Sequence, residues 1–217
     1  WAIVIHTVTA FLLSGLGSRA FWNSSILAPR FLISAFASGP ALLILLFSVL
    51  RKWTSLPVTD YVFDYMKSVI RIMMPINLFL LSCEVFKEFY TDTLHASSAY
   101  YLFFGLHGHN ELTRFIWTAT AFNIAAAIVF LVPRLHQNPW IMHLACVLAI
   151  VGVWTEKGLG LVIPGFVPTP LGAIVEYMPN WGEIQVSLGI GAIGVLIFTF
   201  MAKGAIAVLT GKLKVEK

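Results

Sequence analysis

With 59% hydrophobic and only 11% charged residues, this 217-residue chain does not have the composition of a soluble domain, in which about a quarter of the residues are charged. Its apolar stretches are long enough to cross a membrane as helices, so the composition indicates an all-α integral membrane protein. The formal net charge of +4 is typical of basic cytoplasmic loops on a protein that contacts lipid, and we expect no nucleic-acid partner.

Six apolar stretches separated by turn residues predict six transmembrane helices. They cover approximately residues 1–16, 30–50, 61–90, 112–132, 139–163 and 184–209. Small residues spaced four apart in the second and sixth spans allow close backbone approach, which is typical of a packed bundle. Because the chain opens inside an apolar span, we expect that an N-terminal part of the protein is missing from this sequence.

The connections between spans alternate in their content of Lys and Arg, and this alternation predicts the topology. Those of one side lie in two short connections and in the C-terminal tail: Arg51, Lys52, Arg134, Lys212, Lys214 and Lys217. The excess of Lys and Arg in cytoplasmic loops places these connections and the C-terminus in the cytoplasm, with the chain in the cytoplasmic (inner) membrane. The three long aromatic-rich connections, at residues 17–30, 91–111 and 164–183, are then predicted to lie outside.

The third span contains ionisable and polar residues at positions that the membrane would surround: Asp64, Lys67, Arg71, Asn77 and Glu84. An ionisable group at this depth costs at least about 2.5 kcal/mol unless it faces protein or water, so its presence favours a functional role. The first three share one helical face toward the cytoplasmic end, and with Asn77 they form a candidate proton path. The alternative is an internal ion pair, Asp64 with Lys67 or Glu84 with Lys87, that only holds the protein together.

Histidine and cysteine positions do not favour a haem, an iron–sulfur cluster or a metal centre in this chain. Only His6 and His143 lie within predicted spans, at depths too different for one iron, and two cysteines are too few for a cluster. A loop site built from His107, His109 and Glu111 is the remaining metal-binding alternative.

A second set of residues collects toward the predicted outer side: His6, Trp22, Arg30, Glu84 and Glu156. Together they favour an outer pocket for a polar headgroup, in which Glu84 and His6 are candidate acid–base groups. Two alternatives stay open. His6 can be a satisfied core residue, and Glu156 can form a local interfacial pair with Lys157. Asn123 is a candidate interhelical hydrogen-bond donor.

Two parts of the chain form fairly specific motifs. The first is the run His6-Thr-Val-Thr-Ala-Phe11, followed by Phe21-Trp22 and Ile26-Leu-Ala-Pro-Arg-Phe31. The second is Glu156-Lys-Gly-Leu-Gly-Leu-Val-Ile-Pro-Gly-Phe166, followed by Pro168, Pro170-Leu-Gly172, Glu176-Tyr177 and Pro179. Across essentially the whole chain, these motifs resemble the NrfD/PsrC-type family of polysulfide reductase membrane subunits. The most similar branch is the DsrP subunit of the sulfite-reduction-associated DsrMKJOP complex.

The resemblance implies a fold of two membrane four-helix bundles with flanking helices and eight to ten spans, of which this chain holds six. It implies a quinone-binding subunit without haem that docks a ferredoxin-like iron–sulfur subunit on the outer face. Multihaem cytochrome c, cytochrome b-type and other iron–sulfur subunits are the further partners implied. His6 and Glu156 match the family motifs, whereas Glu84 is inferred from this sequence. The missing spans would supply much of the bundle that holds the quinone, so no complete catalytic site is expected in this chain alone.

The implied function is electron exchange between menaquinone or menaquinol and the iron–sulfur subunit, in dissimilatory sulfur metabolism. The competing functions are an ion- or proton-translocating subunit without quinone chemistry, using the charged third helix, and a purely structural anchor. Paired half-length helices broken by Gly or Pro would favour a transporter, and the sequence has no such pair. Long outer loops favour a docking anchor.

Overall fold

The computed structural model describes residues 1–90, 96–169, 171–177 and 179–211, without the side chain of residue 2. Three long loops, a short 3₁₀ turn at Ala20–Trp22 and several tight connections join the α-helices of these ranges. The α-helices are α1 (Ala2–Ser14), α2 (Leu27–Trp53), α3 (Asp60–Tyr90), α4 (Ser97–Phe103), α5 (Glu111–Leu131), α6 (Pro133–His136), α7 (Pro139–Phe166) and α8 (Trp181–Leu209). The tail lysines that supported the topology prediction lie outside the described residues.

In the described ranges, five helices are long and apolar enough to cross a membrane, namely α2, α3, α5, α7 and α8. The prediction of an all-α, multi-pass membrane protein is therefore confirmed. The first of the six predicted spans corresponds to α1, of which this chain contains 13 residues.

Two prolines lie inside helices where the sequence predicted a boundary. Helix α2 begins at Leu27 and includes Pro29 in its first turn, where the missing N–H has no intrahelical partner to lose. Helix α7 was predicted to stop before Pro164 but continues to Phe166. One turn before this proline, the indole N–H of Trp22 donates to the Leu161 carbonyl at 2.8 Å. This contact packs Trp22 against the last turns of α7.

The chain divides into two compact units. The first consists of Trp1–Leu45 and Asp60–Glu176, and the second of Leu46–Thr59 and the chain from Tyr177 onward. In the second unit, α8 begins with a capping box, in which Asn180 accepts a hydrogen bond from the Glu183 backbone N–H at 2.9 Å. None of the described side chains of α8 is buried.

Within the first unit, α2, α3, α5 and α7 each bury one stripe of residues. On α3 the buried positions are Phe63, Ile70, Met74, Asn77, Leu81, Glu84 and Glu88. On α5 they include Leu112, Ile116, Ala119, Asn123, Ala126 and Phe130. These intervals of three, four and seven residues are typical of helices that pack nearly parallel or antiparallel in a left-handed bundle. Several polar residues occupy the same stripes, so the fold directs them into the bundle interior.

Small residues let α5 and α7 approach closely. A Cβ atom added at Gly152 would collide with the Asn123 side chain and would lie 3.1 Å from the Ala119 carbonyl oxygen. A Cβ atom at Gly160 would lie 2.9 Å from Ile116. Because residue numbers rise along one helix as they fall along the other, α5 and α7 are antiparallel.

The bundle closes through contacts between all four helices. Helix α5 packs against both α3 and α7, and Arg30 of α2 forms ion pairs with carboxylates of α3 and α7. The long connections before α2, before α5 and after α7 consequently gather at one end of the bundle. There they enclose an apolar cluster that includes the fully buried side chains of Trp22 and Tyr101.

Candidate functional site

A buried arginine joins three helices near the loop end of the bundle. Arg30 is 2% exposed, while Glu84 on α3 and Glu156 on α7 are 4% and 2% exposed. Arg30 Nη2 lies 2.8 Å from Glu156 Oε1, and Arg30 Nη1 contacts Glu84 Oε2. All three residues occupy the buried stripes of their helices, which explains why residues distant in sequence meet. Of the five residues assigned to the outer side, the structure thus brings Arg30, Glu84 and Glu156 into contact.

Glu156 is the most connected member of this buried ion cluster. Its Oε1 atom also accepts from Lys157 Nζ at 2.7 Å, and its Oε2 atom accepts from Asn123 Nδ2 at 2.8 Å. The prediction that Asn123 is an interhelical donor is confirmed. Two cations and two carboxylates compensate one another, which buried charges require because an unpaired one would be strongly destabilising. The local pair of Glu156 with Lys157 is also present, but Glu156 lies in the bundle interior rather than at an interface.

A small cavity of about 20 Å³ lies beside the cluster, lined by Arg30, Glu84, Glu88 and Glu156 together with apolar residues. This volume is about what one water molecule needs. Glu84 Oε1 is buried and has no hydrogen-bond partner among the described residues. Sequence reasoning missed Glu88, which is 5% exposed and lies one helical turn beyond Glu84. Its four-residue spacing from Glu84 was the available signal.

A larger side cavity of about 460 Å³ lies between α1, α2 and α7. Its polar lining includes His6, Thr9, Ser34, Ser38 and Lys157, and its apolar lining includes Phe31, Leu42, Ile150 and Trp154. Lys157 thus faces the side cavity and also contacts Glu156 of the buried ion cluster. The structure places His6 at this cavity, separate from the Arg30 ion pairs.

Trp22 lies in the apolar cluster at the loop end. It is fully buried, and its ring is 4.8 Å from that of Phe166 in an edge-to-face arrangement. A Cβ atom at Gly165 would collide with the indole, so this glycine allows the close approach. The structure therefore places Trp22 in packing contacts rather than on the wall of the side cavity.

Of the four residues of the predicted proton path, the structure pairs only Asp64 with Lys67. Asp64 and Arg71 are exposed on α3, and Lys67 Nζ forms the anticipated pair with Asp64 at 3.0 Å. Asn77 is fully buried, and neither of its amide atoms has a hydrogen-bond partner among the described residues. The other anticipated pair was Glu84 with Lys87. In the structure Glu84 contacts Arg30, and Lys87 Nζ lies 3.0 Å from Glu88 Oε1.

The loop histidine proposed as a metal ligand has a carboxylate neighbour. His109 Nδ1 lies 3.2 Å from Glu176 Oε2, and Glu176 Oε1 accepts from the Glu111 backbone N–H at 3.3 Å. The hydrogen bond with His109 lowers the pKa of the Glu176 carboxyl below its ordinary value, with a smaller contribution from the Glu111 N–H. Within the described ranges, no three His, Cys, Asp or Glu side chains are grouped closely enough to hold a metal ion.

Comparison with known families identifies the class of protein. The family described as polysulphide reductase, NrfD, matches residues 1–168. The chain belongs to the NrfD family. The matched segment contains α1–α7 and therefore the complete buried ion cluster and the side cavity, whereas α8 follows it.

This NrfD-family chain is also similar in sequence to a curated protein. It is a putative membrane subunit of dimethyl sulfoxide reductase from Halobacterium salinarum, which is 23% identical over 220 residues. The alignment covers 90% of this chain and 49% of the relative. The NrfD-family chain thus spans about half the length of the curated relative that it matches.

Proposed function

We propose that this chain is the quinone-interacting membrane anchor of a respiratory oxidoreductase complex. In this proposal it exchanges electrons between menaquinone or menaquinol and an extracytoplasmic ferredoxin-like iron–sulfur subunit. The observation that carries the proposal is the side cavity, because Lys157 joins its wall directly to the buried ion cluster. Membership of the NrfD family and the reductase-subunit name of the curated relative support the same class of function.

The lining of the side cavity suits a quinone. Its volume of about 460 Å³ falls within the range of about 300–1,000 Å³ found for small-molecule sites. Phe31, Leu42 and Trp154 offer apolar contact to a ring and its tail, while His6 and Lys157 offer polar groups to the ring oxygens. When bound, a quinone carries two electrons together with two protons.

The ion cluster supplies groups that can position and balance protons near this cavity. Glu156 holds the Lys157 ammonium at 2.7 Å and thereby orients it. Arg30 connects Glu156 to Glu84, which lines the cavity of about 20 Å³. We propose that Glu84 holds and releases the proton that accompanies quinone chemistry, with His6 as a second acid–base group.

For the connection to the cytoplasmic side we propose a route through Asn77, Arg71, Lys67 and Asp64. Asn77 lies on the same buried stripe of α3 as Glu84, which supports the part of the route closest to Glu84. Asp64 and Arg71 are exposed. The cytoplasmic part of the route therefore requires another helix of the complex to cover these two side chains and separate them from lipid.

The proposal also covers the metabolism, the membrane location and the partner subunits. The motif resemblance supports a DsrP-like role in dissimilatory sulfur metabolism, in the cytoplasmic membrane with the C-terminus inside. Multihaem cytochrome c, cytochrome b-type and iron–sulfur subunits would then share the complex. Trp22 would act at the quinone site only indirectly, by packing the loop end against α7.

Quinone labelling of the purified complex tests the proposal. A photoreactive azido-quinone should label the peptides of α1, α2 and α7 that line the side cavity, and excess menaquinone should suppress this labelling. Lys157→Met should reduce the labelling and raise the KM for a menaquinol analogue, because the ammonium has been removed from the cavity wall. Lys203→Met on α8 is the matched control, since Lys203 is exposed in the second unit.

Labelling that is unchanged in Lys157→Met, or that maps to other helices, would overturn the quinone assignment of this cavity. Ion flux through vesicles that contain the chain but no quinone would support the competing translocation function.

A further inference from the structure

The three long loops of the first unit converge on a cleft at the loop end of the bundle. This three-loop cleft has a volume of about 450 Å³ and receives residues from each loop: Arg19 and Phe21, Ser98 and His107, and Thr169 and Ile174. It is separate from the side cavity, since the two share no lining residue. The proposed function assigns it no role.

The charge in the three-loop cleft is carried by Arg19. Its guanidinium donates one hydrogen bond to the Phe166 carbonyl at 3.2 Å and lies 5.3 Å from the Phe166 ring centroid. A guanidinium has five N–H donors, and among the described residues none of them is paired with a carboxylate. Two other cations are paired with carboxylates, since Lys87 contacts Glu88 and Arg114 contacts Glu111. Of the described residues that line the cleft, none is acidic.

A tight turn presents His107 at the edge of the same cleft. Leu106 and His109 exchange backbone hydrogen bonds of 2.9 and 3.0 Å across a two-residue turn. Both central residues have positive φ, +51° at His107 and +89° at Gly108. Such a turn favours Asn-Gly, and His is among the few non-glycine residues enriched at positive φ. The turn therefore holds an exposed imidazole beside a cationic cleft.

We infer that the three-loop cleft receives an acidic side chain, Asp or Glu, of the extracytoplasmic iron–sulfur subunit. This inference rests on the proposed function, which supplies that partner. A guanidinium with free donors recognises a carboxylate through parallel hydrogen bonds, and Ser98 and Thr169 add hydroxyl groups. The cleft is larger than a free inorganic anion requires. Its apolar walls, Phe21 and Ile174, suit the carbon atoms of a protein side chain.

Zero-length crosslinking of the complete complex tests the inference. Arg19→Lys keeps the positive charge and places a primary amine in the cleft, and a carbodiimide then joins that amine to any carboxylate in salt-bridge contact. We expect an amide bond between Lys at position 19 and one Asp or Glu of the iron–sulfur subunit, identified by mass spectrometry. Leu171→Lys is the control. Leu171 is 95% exposed and lies in the same loop region outside the cleft, and we expect its yield to be at least about tenfold lower.

Two further variants separate docking from folding. Arg19→Gln should accelerate dissociation of the iron–sulfur subunit by roughly tenfold or more, since loss of one member of an interfacial charge pair acts mainly on dissociation. His107→Asn preserves the turn, because Asn also tolerates positive φ, and should weaken the same complex to a smaller extent. Both proteins should retain the thermal stability of the unaltered chain within a few degrees.

The outcomes are distinguishable. If no iron–sulfur protein is recovered with the purified, unaltered chain, the proposed function fails. If that partner is recovered but the amine at position 19 joins only carboxylates of this chain, or a phospholipid bound in the cleft, the inference fails while the proposed function stands.

Discussion

Arg30 and Glu156 are 126 residues apart in the chain, yet Nη2 of the arginine lies 2.8 Å from Oε1 of the glutamate inside the bundle. The pair joins the first turn of α2 to the C-terminal half of α7. Because Arg30 also contacts Glu84 of α3, one guanidinium connects three helices. The stability of the bundle and its proposed chemistry therefore depend on the same residue.

Arg30→Met should destabilise the protein severely. Removing the guanidinium leaves Glu84 and Glu156 buried with only Lys157 to compensate them, and breaking a buried pair in this way costs about 3–5 kcal/mol. Thermal unfolding of the purified protein in detergent measures the loss. Arg71→Met is the control, because Arg71 is exposed on α3. Equal unfolding temperatures for the two variants would show that the buried ion cluster does not stabilise the bundle.

Gly152→Ala should separate α5 from α7. The added methyl group collides with the Asn123 side chain, and overpacking of this kind typically costs about 1–3 kcal/mol. The same shift should weaken the hydrogen bond from Asn123 to Glu156. Gly158→Ala in the same helix is a matched control, since its Cβ would meet open space and alanine favours a helix over glycine. We expect thermal unfolding at a lower temperature for Gly152→Ala alone.

Glu84→Gln should slow quinone-dependent electron transfer by about 10²–10⁴-fold, the usual contribution of a positioned acid–base group. The amide keeps the shape of the side chain but cannot titrate. Assembly and the iron–sulfur clusters of the partner should be intact, as checked by the protein composition of the purified complex and by electron paramagnetic resonance. Glu111→Gln, which changes the carboxylate of the first α5 residue, paired with Arg114, should keep normal turnover. Normal turnover in Glu84→Gln would reduce Glu84 to a structural residue.

The contact between His109 and Glu176 should stabilise the loop end in a pH-dependent manner. Hydrogen bonding with His109 lowers the pKa of Glu176 in the folded protein, so its stabilisation is complete above the ordinary carboxyl pKa. The stabilisation is lost as the pH falls through the lowered folded-state value. Hydrogen exchange of the Glu111 N–H, compared between the unaltered chain and Glu176→Gln, should differ at neutral pH and converge in acid. A difference that persists in acid would contradict this prediction.

Thiol labelling tests the predicted topology. With Cys83 and Cys146 replaced by alanine, Leu171→Cys should react with an impermeant maleimide added to intact cells, because Leu171 is 95% exposed in a predicted outer loop. A cysteine in place of Lys214 should react only after the membrane is opened. The reverse pattern would place the three-loop cleft in the cytoplasm and exclude an extracytoplasmic partner for it.

Composition and periodicity alone determined the class of fold and most of the helices. Apolar stretches of about 20 residues have few alternatives to a transmembrane helix, so α2, α3, α5, α7 and α8 follow from local sequence. The same reasoning drew attention to Glu84 and Glu156, since charges in such stretches need a partner or water. It placed the end of α7 before Pro164, whereas the helix continues to Phe166, beside a Trp22 side chain that is distant in sequence.

Tertiary structure decided which of these polar groups meet. Asp64 and Glu84 both lie on α3, and local sequence contains no measure of which one faces another helix. Packing of the four stripes turned Glu84 toward Arg30 and left Asp64 exposed. It also turned Lys157 toward both the side cavity and Glu156. A contact between helices depends on their rotation and register, which side-chain packing across the whole bundle sets, and no single helix encodes it.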